Sequence, residues 1–173
     1  MRIMLDTDRL RLREFQEDDA AAFYRLGSDP DIIRFTGDPG SGFRDLDHAR
    51  EILISHPLRD YSVHGYGRWA CIHRESGELI GFAGLKFLDD LKAVDIGYRF
   101  VPGYWGRGLA TEATRPILDY GFEELGLEEV IGLVMPTNLA SVRVLEKIGM
   151  VPEGSVEYGG EQVIRYVARR PSA

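Results

Sequence analysis

Over Arg9-Leu-Arg-Leu-Arg-Glu14 apolar and polar residues alternate, so Leu10 and Leu12 share one face and three arginines the other. This pattern predicts an outer strand whose arginine row is a solvated edge that resists strand addition. The same row is also suited to gripping an anion. Asp18 and Asp19 ahead of Ala20-Ala-Ala-Phe-Tyr-Arg-Leu26 predict a helix start, and Ser28-Asp-Pro30 its stop. From 31 to 67, short helical patterns are broken by Gly37, Pro39, Gly40, Gly42, Pro57, Gly65 and Gly67. Only about Asp45 to Ser55 reads there as a clear helix.

Strand signals begin at Arg68. Trp69–His73 and Leu79–Leu85 flank Ser76-Gly77, a hairpin turn, and Ala93–Val101 forms a third strand halted by Pro102-Gly103. A helix over about Gly108 to Glu124 follows, then a strand Glu129–Met135 and a helix Asn138–Ile148 with Gly149 as its cap. Val151–Tyr158 and Gln162–Arg169 close the chain as a strand pair around Gly159-Gly160. Hairpins followed by β-α-β-α-β predict an α/β fold, a mixed sheet with helices on both faces. Pro116 lies well inside the helix predicted from about Gly108, where its ring meets the carbonyl of Glu112, so a kink or opening is expected over 112–116.

At 173 residues the chain has the length of one domain, with 44% hydrophobic and 28% charged residues. No uninterrupted apolar run is long enough to span a membrane, and the N-terminus meets charge before a secretory apolar stretch forms, which predicts a cytoplasmic protein without a membrane partner. The single cysteine, Cys71, excludes an internal disulfide and a multi-thiolate site. The four histidines, 48, 56, 64 and 73, include no pair at helical i, i+4 spacing, so no metal is implied. Net charge is −7, and both halves carry more acid than base, so a nucleic-acid partner is not expected. A cationic amine would be attracted.

The segment richest in chemistry runs from Asp95 to Ala113: a strand feeds Pro102-Gly-Tyr-Trp-Gly-Arg-Gly108, which opens a helix. Free backbone N–H groups and the positive helix end then converge at one place, suited to a phosphate or pyrophosphate. Glycine at 106 and 108 would let that phosphate approach the backbone, although the same run also reads as a merely strained loop. The Rossmann pattern fails because the strand ending at Met135 lacks the acidic residue for a ribose. A nucleotide P-loop fails for want of Gly-Lys-Ser/Thr.

Tyr104-Trp-Gly-Arg-Gly-Leu-Ala-Thr-Glu-Ala113, together with Asn138-x-x-Ser141 and Glu146-Lys-Ile-Gly-Met150, resembles the GNAT acetyltransferase superfamily, and within it the ribosomal-protein N-terminal acetyltransferases. Arg9-Leu-Arg-Leu-Arg13 is similar to that branch's first strand. The resemblance spans essentially the whole chain and implies a single N-acetyltransferase domain over 1–173. It implies an acyl-CoA N-acyltransferase fold, with a central, mostly antiparallel sheet splayed between the strands of Asp95–Val101 and Glu129–Met135.

Acetyl-CoA is then the implied co-substrate, without a metal. Its pantetheine would pair with the backbone of Arg99, Phe100 and Val101, beside a bulge at Gly97. Its pyrophosphate would lie in the cradle of Gly106, Arg107, Gly108, Leu109, Ala110 and Thr111. Asn138 would contact the cofactor, and it is equally a helix N-cap.

The implied reaction is direct attack of a primary amine on the thioester, through an oxyanion held by a strand N–H. The acceptor is a peptide N-terminus or a small-molecule amine, and the protein a monomer or homodimer. Asp95 is the candidate base, although an ordinary aspartate pKa of about 3.9 suits that task poorly unless burial raises it; pairing with Arg99 is its other reading. Superfamily members often carry an acid tyrosine seven positions after the asparagine, where this chain has Leu145. Ser141 therefore becomes the candidate acid, with Thr111 and Tyr98 in reserve; a hydroxyl there is also an ordinary cap. Cys71 with His73 offers an acyl-enzyme alternative. A non-catalytic module that binds acyl-CoA is the reading from outside the enzyme class.

Overall fold

The computed structural model describes residues 2–35 and 42–172. The expected breakers Gly37, Pro39 and Gly40 lie outside these residues. Eight strands form one sheet in the order β1-β2-β3-β4-β5-β6-β8-β7: β1 Ile3–Asp6, β2 Leu10–Arg13, β3 Arg68–His73, β4 Leu79–Leu88, β5 Ala93–Phe100, β6 Glu129–Val134, β7 Val151–Tyr158 and β8 Glu161–Arg169. Every neighbouring pair is antiparallel except β5 and β6. The helices are α1 Ala20–Ser28, α2 Pro30–Ile33, α3 Leu46–Leu53, α4 Arg59–His64, α5 Leu109–Glu123 and α6 Leu139–Lys147.

Strand alternation sends side chains to two separate cores. Leu10, Leu12, Trp69, Cys71, Leu85 and Ile96 pack under α5, whose Leu109, Ala113 and Ile117 recur at helical spacing. On the opposite face Ala70 meets Phe15, Ala20 and Phe23 near α1, and Ala49 and Leu53 of α3. The helices on both faces thus follow from the pattern of the strands.

Several boundaries depart from the sequence reading. The arginine strand is not outermost, because Ile3–Asp6 pairs along it, and its arginines are not merely solvated. Arg11 holds Asp6 at 2.8 Å and Arg13 holds Asp19 at 2.7 Å. The helix expected at 45–55 starts after Asp45, whose side chain accepts from the His48 N–H, but winding continues to His64. A π-helical turn over Ile54–Leu58 accommodates Pro57 between α3 and α4. The Ser28-Asp-Pro30 stop also starts α2, since Asp29 accepts from the Asp31 N–H and Pro30 needs no donor there. Pro116 lies inside α5, which stays helical from Leu109 to Glu123 with Ala113, Ile117 and Leu118 pressed onto the sheet. Packing outweighs the local cost of the proline.

Candidate active site

The sheet comes apart between β5 and β6. Only Asp95 and Ile131 are in register there, while β5 continues to Phe100 and β6 to Val134. On its other side β5 remains fully paired with β4 from Ala93 to Phe100, without the bulge expected at Gly97. Strand parity determines which backbone groups face the opening. Val101 donates its N–H to Ile80 at 2.9 Å, so Val101 and Arg99 turn their backbone groups toward β4, whereas Phe100 and Tyr98 turn theirs toward the gap. Of the three residues expected to pair with pantetheine, only Phe100 has that orientation, and its carbonyl also accepts from Trp105 Nε1 at 2.7 Å.

At the end of β5 the chain passes through a short 3-10 turn, Pro102–Tyr104, into the glycine loop. Gly106 and Gly108 have φ of +72° and +76°, so left-handed backbone is the reason for glycine here rather than lack of space. Gly108 caps α5, and the first bond of that helix runs from the Glu112 N–H to the Gly108 carbonyl. Among the described residues no acceptor takes the N–H groups from Gly106 to Thr111. Gly106, Arg107 and Gly108 are exposed and lead into the positive end of α5, where Leu109 is buried and Ala110 and Thr111 are half-buried.

A bracket that the sequence did not reveal holds this loop. Glu112 accepts from the Thr7 hydroxyl at 2.7 Å, the Arg9 N–H at 2.8 Å and Arg9 Nε at 2.7 Å, while Arg9 Nη1 donates to the Arg107 carbonyl at 2.8 Å. Burial acts to raise the Glu112 pKa, but these donors outweigh it and hold the carboxyl below its ordinary range. Arg107 itself lies over the Tyr104 ring at 4.9 Å.

Asn138 caps α6, its side chain accepting from the Ser141 N–H at 3.2 Å. Ser141 then stands one turn into the helix, and its Oγ is 2.7 Å from the Tyr98 hydroxyl. Tyr98, a reserve in the sequence reading, is thereby joined to Ser141 across the opening. Burial pushes the Tyr98 hydroxyl pKa up, with Ser141 partly opposing, so Tyr98 remains a neutral phenol, and either hydroxyl of the pair can donate to the other. Leu145 is buried and fills space against Gly132 of β6.

Asp95 projects from the other face of β5. Its carboxylate does not pair with Arg99, which donates to the Leu26 carbonyl at 3.3 Å. It receives Arg68 Nη2 at 2.6 Å, and Arg68 also reaches the carbonyls of Gly84 and Asp95. The sequence reading uses Arg68 only as the start of a strand, although Gly97 leaves room for its guanidinium and Gly84 for the β3 backbone that carries it. The two glycines are paired across β4 and β5, and a Cβ on Gly97 would lie 2.6 Å from Arg68 Nη2. The glycine expected to mark a bulge therefore gives passage to an arginine.

Burial raises the Asp95 pKa above that of an ordinary aspartate, with Arg68 and the Leu133 N–H pulling against it. Because removing one member of a buried pair strands the other, Asp95→Ala is expected to cost about 3 to 5 kcal/mol of stability. Asp95→Asn, which keeps the shape, should cost less. Denaturant melts of the two variants check that order.

Cys71 is fully buried, and burial alone pushes its pKa far above the thiol range. The His73 ring bonds Ser76 at 3.1 Å and lies against Tyr104, so the two do not form a nucleophile pair. Among the described residues no cluster of histidine, cysteine and carboxylate side chains is arranged to hold a metal, and no helix is long and apolar enough to cross a membrane.

A sheet splayed beside a glycine-capped helix, with all strands but one junction antiparallel, is the fold of a GNAT acetyltransferase. The Acetyltransferase (GNAT) domain family matches residues 9–151, and the chain belongs to it. It is similar to the uncharacterized protein YkkB of Bacillus subtilis, 37% identical over 149 residues covering 84% of each chain. It is also similar to the uncharacterized N-acetyltransferase p20 of Bacillus licheniformis, 32% identical over 152 residues, 87% of this chain and 83% of the other. Among solved structures, an acetyltransferase from Agrobacterium tumefaciens superposes with a TM-score of 0.82 at 28% identity, covering 96% of this chain and 94% of that one.

Proposed function

We propose that this acetyltransferase moves the acetyl group of acetyl-CoA to a primary amine by direct attack on the thioester. The observation that carries this reading is the Tyr98–Ser141 hydroxyl pair at 2.7 Å, standing on the α5 and α6 side of the β5/β6 opening. Asp95 stands on the opposite face of the same strand, so an amine and a departing thiolate can be served from separate sides.

The cofactor-holding residues are Gly106, Arg107, Gly108, Leu109, Ala110 and Thr111 through their free N–H groups, with Asn138 at the neighbouring helix start. Pantetheine adds to the gap-facing edge of β5 at Tyr98 and Phe100, in the manner of an added strand. The thioester then lies beside the Tyr98 N–H, the free strand donor placed to hold the oxyanion. Asp95, with its pKa raised, takes the ammonium proton while Arg68 fixes its direction. As the C–S bond breaks, Ser141 gives its proton to the thiolate and takes that of Tyr98, the nitrogen of the tetrahedral intermediate loses its second proton to solvent, and solvent returns Tyr98 to the phenol.

Release of free CoA thiol is the test. Acetyl-CoA incubated with the protein should release thiol only when an amine is added; a peptide N-terminus, with an α-amino pKa of about 7.7 to 8.0, should outperform a lysine side chain, its rate rising from about pH 7 to 8.5 as the ammonium loses its proton. Acetyl-CoA binding without amine-dependent thiol release would leave the non-catalytic binding module as the reading instead.

A further inference from the structure

We infer that the Trp105 indole is a latch on the gap-facing edge of β5, exchanged for pantetheine when acetyl-CoA binds. The inference rests on the acetyl-CoA reading above and adds a residue that controls entry to that site. Phe100, the last residue of β5, is only 5% exposed, and strand parity turns its carbonyl into the β5/β6 opening. A carbonyl so far withdrawn from water needs a donor. That donor is not a neighbouring strand but the Trp105 indole, whose Nε1 lies 2.7 Å from the oxygen.

The indole nitrogen stands where an added strand has to place its own donor. Such a strand runs about 4.8 Å from β5, with its amide nitrogen about 2.9 Å from the carbonyl it meets. A carbonyl has two lone pairs, but an indole nitrogen this close brings a rigid bicyclic ring into the strip that the added backbone would occupy. The pantetheine amide and the indole therefore exchange at Phe100 rather than share it, and the carbonyl keeps a partner throughout.

Little else retains the ring. Trp105 is 43% exposed, and among the described residues its indole pairs with no other aromatic ring and no cation. Its backbone N–H is tied to the Pro102 carbonyl at 3.1 Å, so release is a turn of the side chain and not an opening of the loop. At the next residue, Gly106, nothing lies within 4 Å of where a Cβ would stand, which leaves open space beside the loop. In its closed position the ring also covers part of an unpaired strand edge that could otherwise recruit another chain.

The test titrates acetyl-CoA and ADP by calorimetry into the wild-type protein and into Trp105→Phe, which keeps an aromatic ring but loses the N–H. ADP carries the pyrophosphate without the pantetheine. Removing the competitor should tighten acetyl-CoA binding by about three- to ten-fold, the worth of one neutral hydrogen bond, and leave ADP binding unchanged. Acetyl-CoA should also alter the tryptophan emission of the wild type and not that of Trp105→Phe, whose remaining tryptophan, Trp69, is buried in the core. Equal or weaker acetyl-CoA binding by Trp105→Phe, a parallel gain for ADP, or wild-type emission unmoved by bound acetyl-CoA would overturn the latch and leave the acetyl-CoA reading standing. Wild-type protein that binds no acetyl-CoA would overturn both.

Discussion

Acetyl-CoA at one hundred times its Kd is expected to stabilise the protein by about 2.7 kcal/mol, read as a later thermal melt. The gain is expected from the N–H groups of Gly106 to Thr111, which have no acceptor among the described residues. Gly108→Val should remove this shift. The variant must place a branched side chain at φ +76°, which displaces the loop, but the only neighbour its Cβ meets within 4 Å is Arg9 Nη2 at 3.7 Å. The apo protein should therefore still fold, melting somewhat earlier. A wild-type melt unmoved by millimolar acetyl-CoA would refute the donor assignment, and a Gly108→Val chain that does not fold would make the glycine scaffold rather than cradle.

Ser141→Ala is expected to lower kcat by about a hundred-fold while acetyl-CoA affinity changes little, because a donor to the departing thiolate acts chiefly in the transition state. Tyr98→Phe, which removes the hydroxyl bonded to Ser141, should produce a similar loss. The double variant should lose far less than the product of the two, since the hydroxyls act as one proton path. Cys71→Ala should retain turnover, because its thiol is buried and protonated. Wild-type kcat in both hydroxyl variants, with a dead Cys71→Ala, would replace direct attack by an acyl-enzyme.

The parts of this fold that were legible in the sequence are those with local signals. Alternation identified β2 and β3, the Asp95–Ala113 run identified strand, turn and helix in order, and Asn138 and Gly149 bounded α6. Interactions between distant segments were not legible. Ile3–Asp6 has too few residues to show a period, so the edge strand went unseen and the arginines beside it looked merely solvated. Arg68 could be placed against Asp95 only once β3, β4 and β5 were in register, because the glycine that gives its guanidinium passage, Gly97, lies two strands away. Tyr98 and Ser141 likewise lie 43 residues apart and meet because an α6 side chain crosses to β5.

The contact between Arg9 and Glu112 spans 103 positions of the chain. Such a contact forms only after a long loop has closed, and the entropy of that closure is lost before the contact repays it. A glycine turn with a purely local hydrogen-bond pattern would acquire its shape as soon as its own strand and helix formed. Here the Arg107 carbonyl is fixed from the far end of the sheet, so the turn is completed late in folding. On the acetyl-CoA reading proposed above, competence to bind the nucleotide end thus reports arrival at the native topology, and a refolding chain is expected to regain its helical signal before its ligand.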